Sequence, residues 1–570
     1  MKKITYILLL MLGVLVQACS LEEDMTSRAT REDSYNTADQ CKAVLNSCYD
    51  NFNAFITTNF ALMVEGCTDI WHVNSNTPDA FCDISPSKPG CGMNLWTYCY
   101  RGVMRANECI ECISNAPISD EDRLPLVAEA RVIRALYYYY LTNTFNGVPY
   151  YTCMVKDDSD LERIGKLGRT PANDIRDSLY VDLGQNAIPV FEKYGLDIKT
   201  SEDPENRARY ALGLMLMAKF AMWRGEWERA LEPLGKLEAV YGTLDAYPLE
   251  DTDWGVKNTP ESIFEIQHEY STTGIQYHSS LGRLYYPKIE GDGWYDGVYM
   301  PQWGTNLSNW AFLRTNYHFA VFRPAEGTEK KEVPWSEYKN CIMKLPLTYG
   351  EYDPDIKRYE AVLDMDAIKA GVIRGQKIDR RSYFVLGLGE MDKDLKDPEG
   401  NSTYGQTFGE VRRNGRAYAG PKFWCKNLVS SYDANNYKIF RYADAVLMMA
   451  ECHFRLGDFQ TGEHYLNQTR ARAGVDDITG LAEDTFLTEI MNERARELAG
   501  ELHRKYDLVR WGVWYDETKK WNKNTTGLKD KIRPCHEYYP IPDTECAMTG
   551  YVLDNPAYED MGMDTETGEE

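Results

Sequence analysis

The side chains best suited to recognition chemistry lie in one run without helical or strand period, Tyr285 to Trp310. Within it Trp294, Tyr295, Trp303 and Trp310 are interleaved with Asp292, Asn306 and Asn309. Flat rings of this kind cover the CH faces of sugar rings, while amide and carboxylate groups exchange water for ligand hydroxyls. The same aromatics could instead pin a long insertion onto a helical body, and both readings stand at this level. A second stretch, Asp69 to Asn76, leaves the first helical segment and enters a loop that reaches Pro86 and Pro89. Asp69, Trp71 and Asn76 are its candidate ligand contacts, with core packing as the alternative for Trp71.

Catalysis would need more than carboxylates near aromatics. Asp353 with Asp355, Asp292 with Asp296, and Glu410 are pairs or singles that a glycoside hydrolase could use. With 87 Asp and Glu in the chain, however, chance pairs are expected, and none sits in a recognisable motif. Gly-x-Ser-x-Gly, His-Glu-x-x-His and a phosphate loop are all absent from the sequence. No catalytic residue is assigned. Cys109-x-x-Cys112 has half the spacing of a zinc site, but Cys82, Cys91 and Cys99 are eight or nine residues apart and supply no second half. The acidic turn at Asp353 to Asp355 lacks a full calcium ligand set. No metal or cofactor is assigned either.

Charge narrows the partners. The formal net charge is −24, which repels a phosphate backbone and argues against nucleic acid. The 40 tyrosines and 13 tryptophans suit neutral ligands that want a ring face and a polar handle. Residues 1–18 carry Lys2, Lys3, an apolar stretch from Ile4 to Val16 and a small residue before Cys19, the layout of a lipoprotein signal. Cys19 is therefore the expected lipidated residue, and the apolar stretch is too short to span a bilayer. The acidic run Glu22 to Asp24 follows at once.

The elements that must position these groups are helical. Glu129 to Phe145 reads as a helix buried nearly all round, stopped by Gly147 and Pro149. Arg134 falls within its apolar stripe and requires a buried carboxylate partner, because an unpaired guanidinium there would cost several kcal/mol. Thr37 to Phe60 and Leu95 to Ser114 also have helical spacing, which makes Trp96 a core residue. Compared with itself, the chain repeats small and aromatic residues at an offset of 232: Ala218, Met222, Gly225, Trp227 and Ala230 answer to Ala450, Phe454, Gly457, Phe459 and Gly462. That is the spacing of a tetratricopeptide helical hairpin, which must stack on a neighbour to bury its apolar face. A periplasmic adaptor built from such hairpins would share the scaffold and would have no need of the aromatic insertion. Glu261 to Gln267 alternates as a strand does. No low-complexity linker divides the chain.

Several segments resemble one family. Glu129-Ala-Arg-x-x-Arg134-Ala-x-x-Tyr-Tyr with Gly147-x-Pro149, Glu261 to Ile266, Arg441-Tyr442-x-Asp444 with Ala450-Glu451, Glu493-Arg494-x-x-Glu497-Leu498-x-x-Glu501-x-x-Arg504-x-x-Asp507-Leu508-x-Arg510-Trp511, Tyr539-Pro-Ile-Pro542 and Asn555-Pro-Ala-Tyr558 are similar to motifs of the SusD/RagB family. Leu502, Asp554 and Ala557 depart from its pattern, Leu502 standing where the family usually has glycine. The resemblance implies an all-α fold with tetratricopeptide-like hairpins and a loop-rich aromatic insertion. It implies a signal peptide at 1–18, a lipidated acidic linker at 19–36 and one domain at 37–570. In that domain the helical scaffold covers about 37–250 and 437–515, the ligand-face insertion about 251–436 and a tail 516–570. The function it implies is a lipid-anchored protein on the outer face of the outer membrane. It would bind a glycan, or in the RagB-like alternative a peptide, and deliver it to a TonB-dependent SusC-like transporter without turnover. Loops at the place of Asp69 to Asn76 help form the ligand face in that family.

Overall fold

The computed structural model describes residues 32–73, 84–269, 278–285, 432–522 and 531–563, with short segments between 294 and 423. The signal segment and Cys19 lie outside the described residues. Helices dominate: α1 (Ala38–Asn46), α2 (Asp50–Phe55), α3 (Thr58–Glu65), α4 (Gly92–Ser114), α5 (Asp120–Phe145), α6 (Asp158–Gly165), α7 (Ala172–Asn186), α8 (Ile188–Lys193), α9 (Tyr210–Trp223) and α10 (Trp227–Tyr241) precede the insertion. After it come α11 (Gly282–Tyr285), α12 (Tyr442–Arg455), α13 (Phe459–Ala473), α14 (Phe486–Glu497), α15 (Arg504–Arg510), α16 (Trp514–Trp521) and α17 (Asp543–Met548). The described strands are short, and the fold is the expected all-α class.

Helix α5 is the hub. Its first turn carries Asp120, Glu121 and Asp122 at the positive end of the dipole, and Ser119 caps it by accepting from the Asp122 amide. From Pro125 to Phe145 all but Arg131 are buried. It packs against α4 so closely that a Cβ on Gly102 would lie 2.3 Å from the Tyr137 ring. Arg134 finds its carboxylate: Nη2 lies 2.6 Å from Asp182 Oδ2 on α7, and Nη1 donates to Asn107 Oδ1 at 2.8 Å. Glu129, fully buried on the same helix, accepts from Arg207, Arg209 and the Tyr49 hydroxyl. Trp96 is in the core, edge-on to Phe145. Cys109 is buried beside Cys48 as a free thiol, with the sulfurs 3.7 Å apart.

The 232-residue repeat is a pair of helical hairpins. α9–α10 and α12–α13 begin at the same offset from each other, and both turn through a glycine in the left-handed region, Gly225 at φ +73° and Gly457 at φ +81°. Such a turn costs any side chain with a Cβ. The hairpins stack directly: α10 packs on α12, and Tyr241 lies on Tyr442 with ring centroids 4.9 Å apart. β2 (Ser262–Ile266) forms as expected, but all five residues are buried. It pairs antiparallel with β12 (Tyr437–Arg441), so the segment whose motif resembles a helix is a strand until Arg441, and the helix starts at Tyr442.

The long Glu-Arg signature builds a buried ionic ladder. Glu493, Glu497 and Glu501 recur every four residues and are met by guanidiniums from distant segments. Arg441 donates to Glu497 Oε1 at 2.7 Å, Glu501 Oε2 at 2.8 Å and Glu261 Oε1 at 2.8 Å. Arg472 also reaches Glu261 and Glu497. Arg381 and Lys422, both from the insertion, contact Glu493 and Glu501, so two buried charges fasten the insertion to the scaffold. Alongside, Asp444 pairs with Lys219 and Arg494, each at 2.7 Å. The neighbouring cations hold Glu493 and Glu501 down at about 2, against the desolvation that opposes them. Where the family pattern has glycine, Leu502 adopts φ +60°, so the turn keeps its left-handed shape under a side chain that disfavours it.

Candidate functional site

A small sheet brings the two candidate stretches together. β1 (Trp71–Val73) pairs antiparallel with β5 (Leu313–Thr315), with Trp71 opposite Thr315 and Val73 opposite Leu313. β5 follows the aromatic run directly, so the strand of the first stretch is the neighbour of the strand that closes the second. β11 (Ala417–Ala419) and β10 (Val385–Gly387) complete the order β1-β5-β11-β10. Within the aromatic run, β3 (Trp294–Tyr295) and β4 (Val298–Tyr299) form a two-stranded hairpin, Trp294 opposite Tyr299. β4 lies beside β7 (Arg358–Leu363), itself paired with β6 (Leu347–Asp353). A further two-stranded hairpin joins β8 (Val372–Ile373) to β9 (Gln376–Lys377).

Under this sheet is an aromatic plinth. Tyr285, the last residue of α11, stacks on Phe423 at 4.6 Å and meets Trp71 edge-on at 5.3 Å, while Trp254 closes on Tyr285 at 5.4 Å. All four rings are buried. Aromatic contacts of this geometry add about 0.5–1.5 kcal/mol each beyond burial. The run therefore departs from a rigid base at Tyr285 and returns to it at Leu313.

Two candidate contacts are corrected by this arrangement. Trp71 is fully buried in the plinth, and Asp69, also fully buried, forms a two-point pair with Arg504, Nε to Oδ1 at 2.7 Å and Nη2 to Oδ2 at 2.6 Å. Neither is open to a ligand here; both support the base of the site. They read as loop residues because the strand that buries β1 comes from more than two hundred residues away. Asn76, Asp292, Trp303, Asn306, Asn309 and Trp310 lie outside the described residues, as does Glu410. Trp294 and Tyr295 form β3. Asp353 is the last residue of β6, and its Oδ1 accepts from the Asp355 amide at 2.8 Å where the chain turns toward β7. Among the described residues no group of three or more His, Cys, Asp or Glu converges as metal ligands would.

Comparison with known proteins decides the family. Residues 399–558 match the SusD family, and residues 20–185 match a family described as starch-binding associating with outer membrane. The chain belongs to the SusD family. SusD-like protein P25 of Formosa agariphila is 25% identical over 85% of this chain and 82% of its own. Starch-binding protein SusD of Bacteroides thetaiotaomicron is 22% identical over 89% and 86%. The solved structure of surface glycan-binding protein A from Bacteroides uniformis superposes with a TM-score of 0.60 at 18% identity, covering 92% of this chain and 100% of that one. Outer-membrane association accords with the family description.

One further feature of this SusD-family chain escaped sequence reasoning. A cleft of about 660 Å³ opens between the end of α5, the start of α7 and the carboxy-terminal segment, and Tyr539, Asn555 and Tyr558 of the two terminal motifs are among its walls. No local pattern reveals it, because it is walled by several separate stretches of chain.

Proposed function

We propose that this protein is a single SusD-type domain over 37–570 that captures a glycan at the cell surface and hands it to a TonB-dependent SusC-like transporter, without turning it over. In this reading acyl chains on Cys19 hold it to the outer membrane, facing outward. The ligand face in this reading is the run carrying Asp292, Trp294, Tyr295, Trp303, Asn306, Asn309 and Trp310, together with Asn76. The observation that carries the reading is the β1–β5 pairing, which seats both candidate loops on one aromatic base. A base of packed rings would lower the ordering cost of binding for a loop that starts and ends on it. Similarity to a starch-binding protein and to a surface glycan-binding protein supports the glycan over a peptide.

The test is binding to neutral oligosaccharides by titration calorimetry, with product analysis alongside. Stacking two or three rings leaves only a few kcal/mol after water is exchanged, so Kd should be on the order of micromolar to millimolar. Polymer length should not change. Alanine at Trp294, Trp303 or Trp310 should weaken binding by ~1–3 kcal/mol with little change in Tm. If all three variants bind a confirmed glycan like wild type, this face is not the site; binding of peptides alone would select the RagB-like alternative.

A further inference from the structure

A guanidinium removed from water needs a counter-charge, since hydrogen bonds to neutral oxygens repay only part of its lost hydration. Arg176, on α7, is 3% exposed and lines the cleft at the start of that helix. Its Nη1 donates to Asn173 Oδ1 at 2.9 Å, and Nη2 to Asn143 Oδ1 at 3.1 Å and the Thr142 carbonyl at 3.4 Å. All three partners are neutral. Its Nε is buried without an acceptor, and its guanidinium sits 4.3 Å from the Trp223 ring centroid. Burial with no matching carboxylate draws its pKa down to about 10.

Arg169, on the same wall, donates among the described residues to main-chain carbonyls, those of Gly147 and Asp554 at 2.8 Å and that of Phe145, and burial lowers its pKa although the Asp554 carboxylate, without a hydrogen bond to it, opposes the fall. The third arginine of the lining, Arg510, differs: its two nitrogens sit on Glu451 at 2.8 and 2.7 Å. The N-terminus of α7 opens on the same cleft behind Pro171, which supplies no side-chain cap, so the positive end of the helix adds to the field. Glu537 is the acidic side chain on the wall, and burial raises its pKa while Lys505 opposes the rise. In a chain of net charge −24, this is positive charge left over where a ligand can enter.

We infer that this cleft is a second binding site, for a sugar unit bearing an oxyanion, a carboxylate or a sulfate, gripped by Arg176 and Arg169 with half-buried Tyr538 as apolar wall. Guanidinium forks match planar carboxylates and sulfate oxygens two at a time, and the cleft volume falls in the range of small-molecule sites. The inference rests on the glycan reading only for the sugar part of the ligand.

The whole protein would be titrated with a glucuronate-containing disaccharide, the same disaccharide bearing a sulfate in place of the carboxylate, and the neutral parent, following heat and Trp fluorescence. The expected result is that at least one charged sugar binds about tenfold or more tightly than the neutral parent, and that R176Q removes most of that preference. The two charged arms identify the oxyanion. Equal affinity for charged and neutral sugars, or a folded R176Q that keeps the preference, would overturn the inference. The comparison on unmodified protein decides even if R176Q fails to fold. A capped dipeptide with a free carboxylate that binds as tightly as the charged sugar would overturn the sugar assignment. Failure of the glycan reading itself is separate: neutral oligosaccharides at the aromatic face should respond to alanine at Trp294 and not to R176Q.

Discussion

The ladder under α14 and the cleft at the start of α7 both gather buried arginines, and they treat the charge in opposite ways. In the ladder Arg441 meets carboxylates of Glu261, Glu497 and Glu501, and Arg381 meets those of Asp379, Glu493 and Glu497. In the cleft Arg176 and Arg169 meet amide and carbonyl oxygens. Matched charge fixes segments that are far apart in sequence and leaves nothing for a ligand. Unmatched charge beside a void keeps a binding capacity that folding has not consumed. The longest sequence signature thus encodes assembly of the core: of its charged residues Arg510 alone reaches the cleft, and there Glu451 already matches it.

The comparison breaks most visibly at Glu497. Its carboxylate serves Arg381, Arg441 and Arg472 at once, so Glu497→Ala leaves three buried cations short of a partner. We expect a loss of about 3–5 kcal/mol in urea unfolding, large against the whole stability of a domain. A loss under about 1 kcal/mol would mean that the ladder is not what holds the insertion to the scaffold.

The pH dependence of stability has two limbs of opposite sign. Glu493 and Glu501 are held at about 2 in the folded chain, below their unfolded values. Their stabilisation is present above the unfolded pKa and is lost as pH falls through about 4 toward 2. Glu65, fully buried and among the described residues paired with no cation's side chain at hydrogen-bond distance, is raised to about 8 by burial. Between its unfolded value and pH 8 the folded state holds the extra proton, so its contribution to stability declines as pH rises through that window. Asp433, raised to about 7 by burial, adds to the same decline. His268, His503 and His536, each drawn down to about 4 by burial, act in the opposite sense up to their unfolded value, so unfolding curves across pH 3 to 9 should peak at about pH 6.5, and E65Q should flatten the limb above the peak while sparing the acid one. An unchanged alkaline limb in E65Q would remove Glu65 from the account.

A smaller effect is expected at the hub. Gly102→Ala puts a methyl where the Tyr137 ring lies, which should cost about 1–3 kcal/mol because the ring is packed from both sides and cannot retreat. A neutral result in thermal unfolding would show that α4 can slide along α5.

What could be read from sequence was what is local or self-similar. The α5 helix, the need of Arg134 for a carboxylate and the two hairpins follow from periodicity and from a repeat within the chain. The ladder's partners could not be read, because Arg381, Lys422 and Arg441 reach Glu493 to Glu501 across tens to more than a hundred residues. For Trp71 the structure takes the core-packing alternative, and the burial of Asp69 could not be read for the same reason: β5 and Arg504, their partners, are remote in sequence. The scaffold expected to be helical from about 437 opens instead with Tyr437 to Arg441 paired to β2, so tertiary pairing decides that segment. The cleft is the extreme case, since its charge imbalance exists only after α5, α7 and the carboxy-terminal segment have met.

The finest test sets one arginine of each region against the other. Arg441→Gln abandons three carboxylates in the core, so it should cost at least about 3 kcal/mol. Arg176→Gln loses hydrogen bonds worth about 1 kcal/mol each and a ring contact of similar size, but it also relieves the core of a charge that nothing matched. These terms oppose each other, and the net change should stay within about 1 kcal/mol of wild type in urea unfolding. If R176Q instead destabilises the protein as much as R441Q does, the cleft's positive charge is a structural element of the fold, and the contrast between matched and unmatched arginine would no longer mark where a ligand can bind.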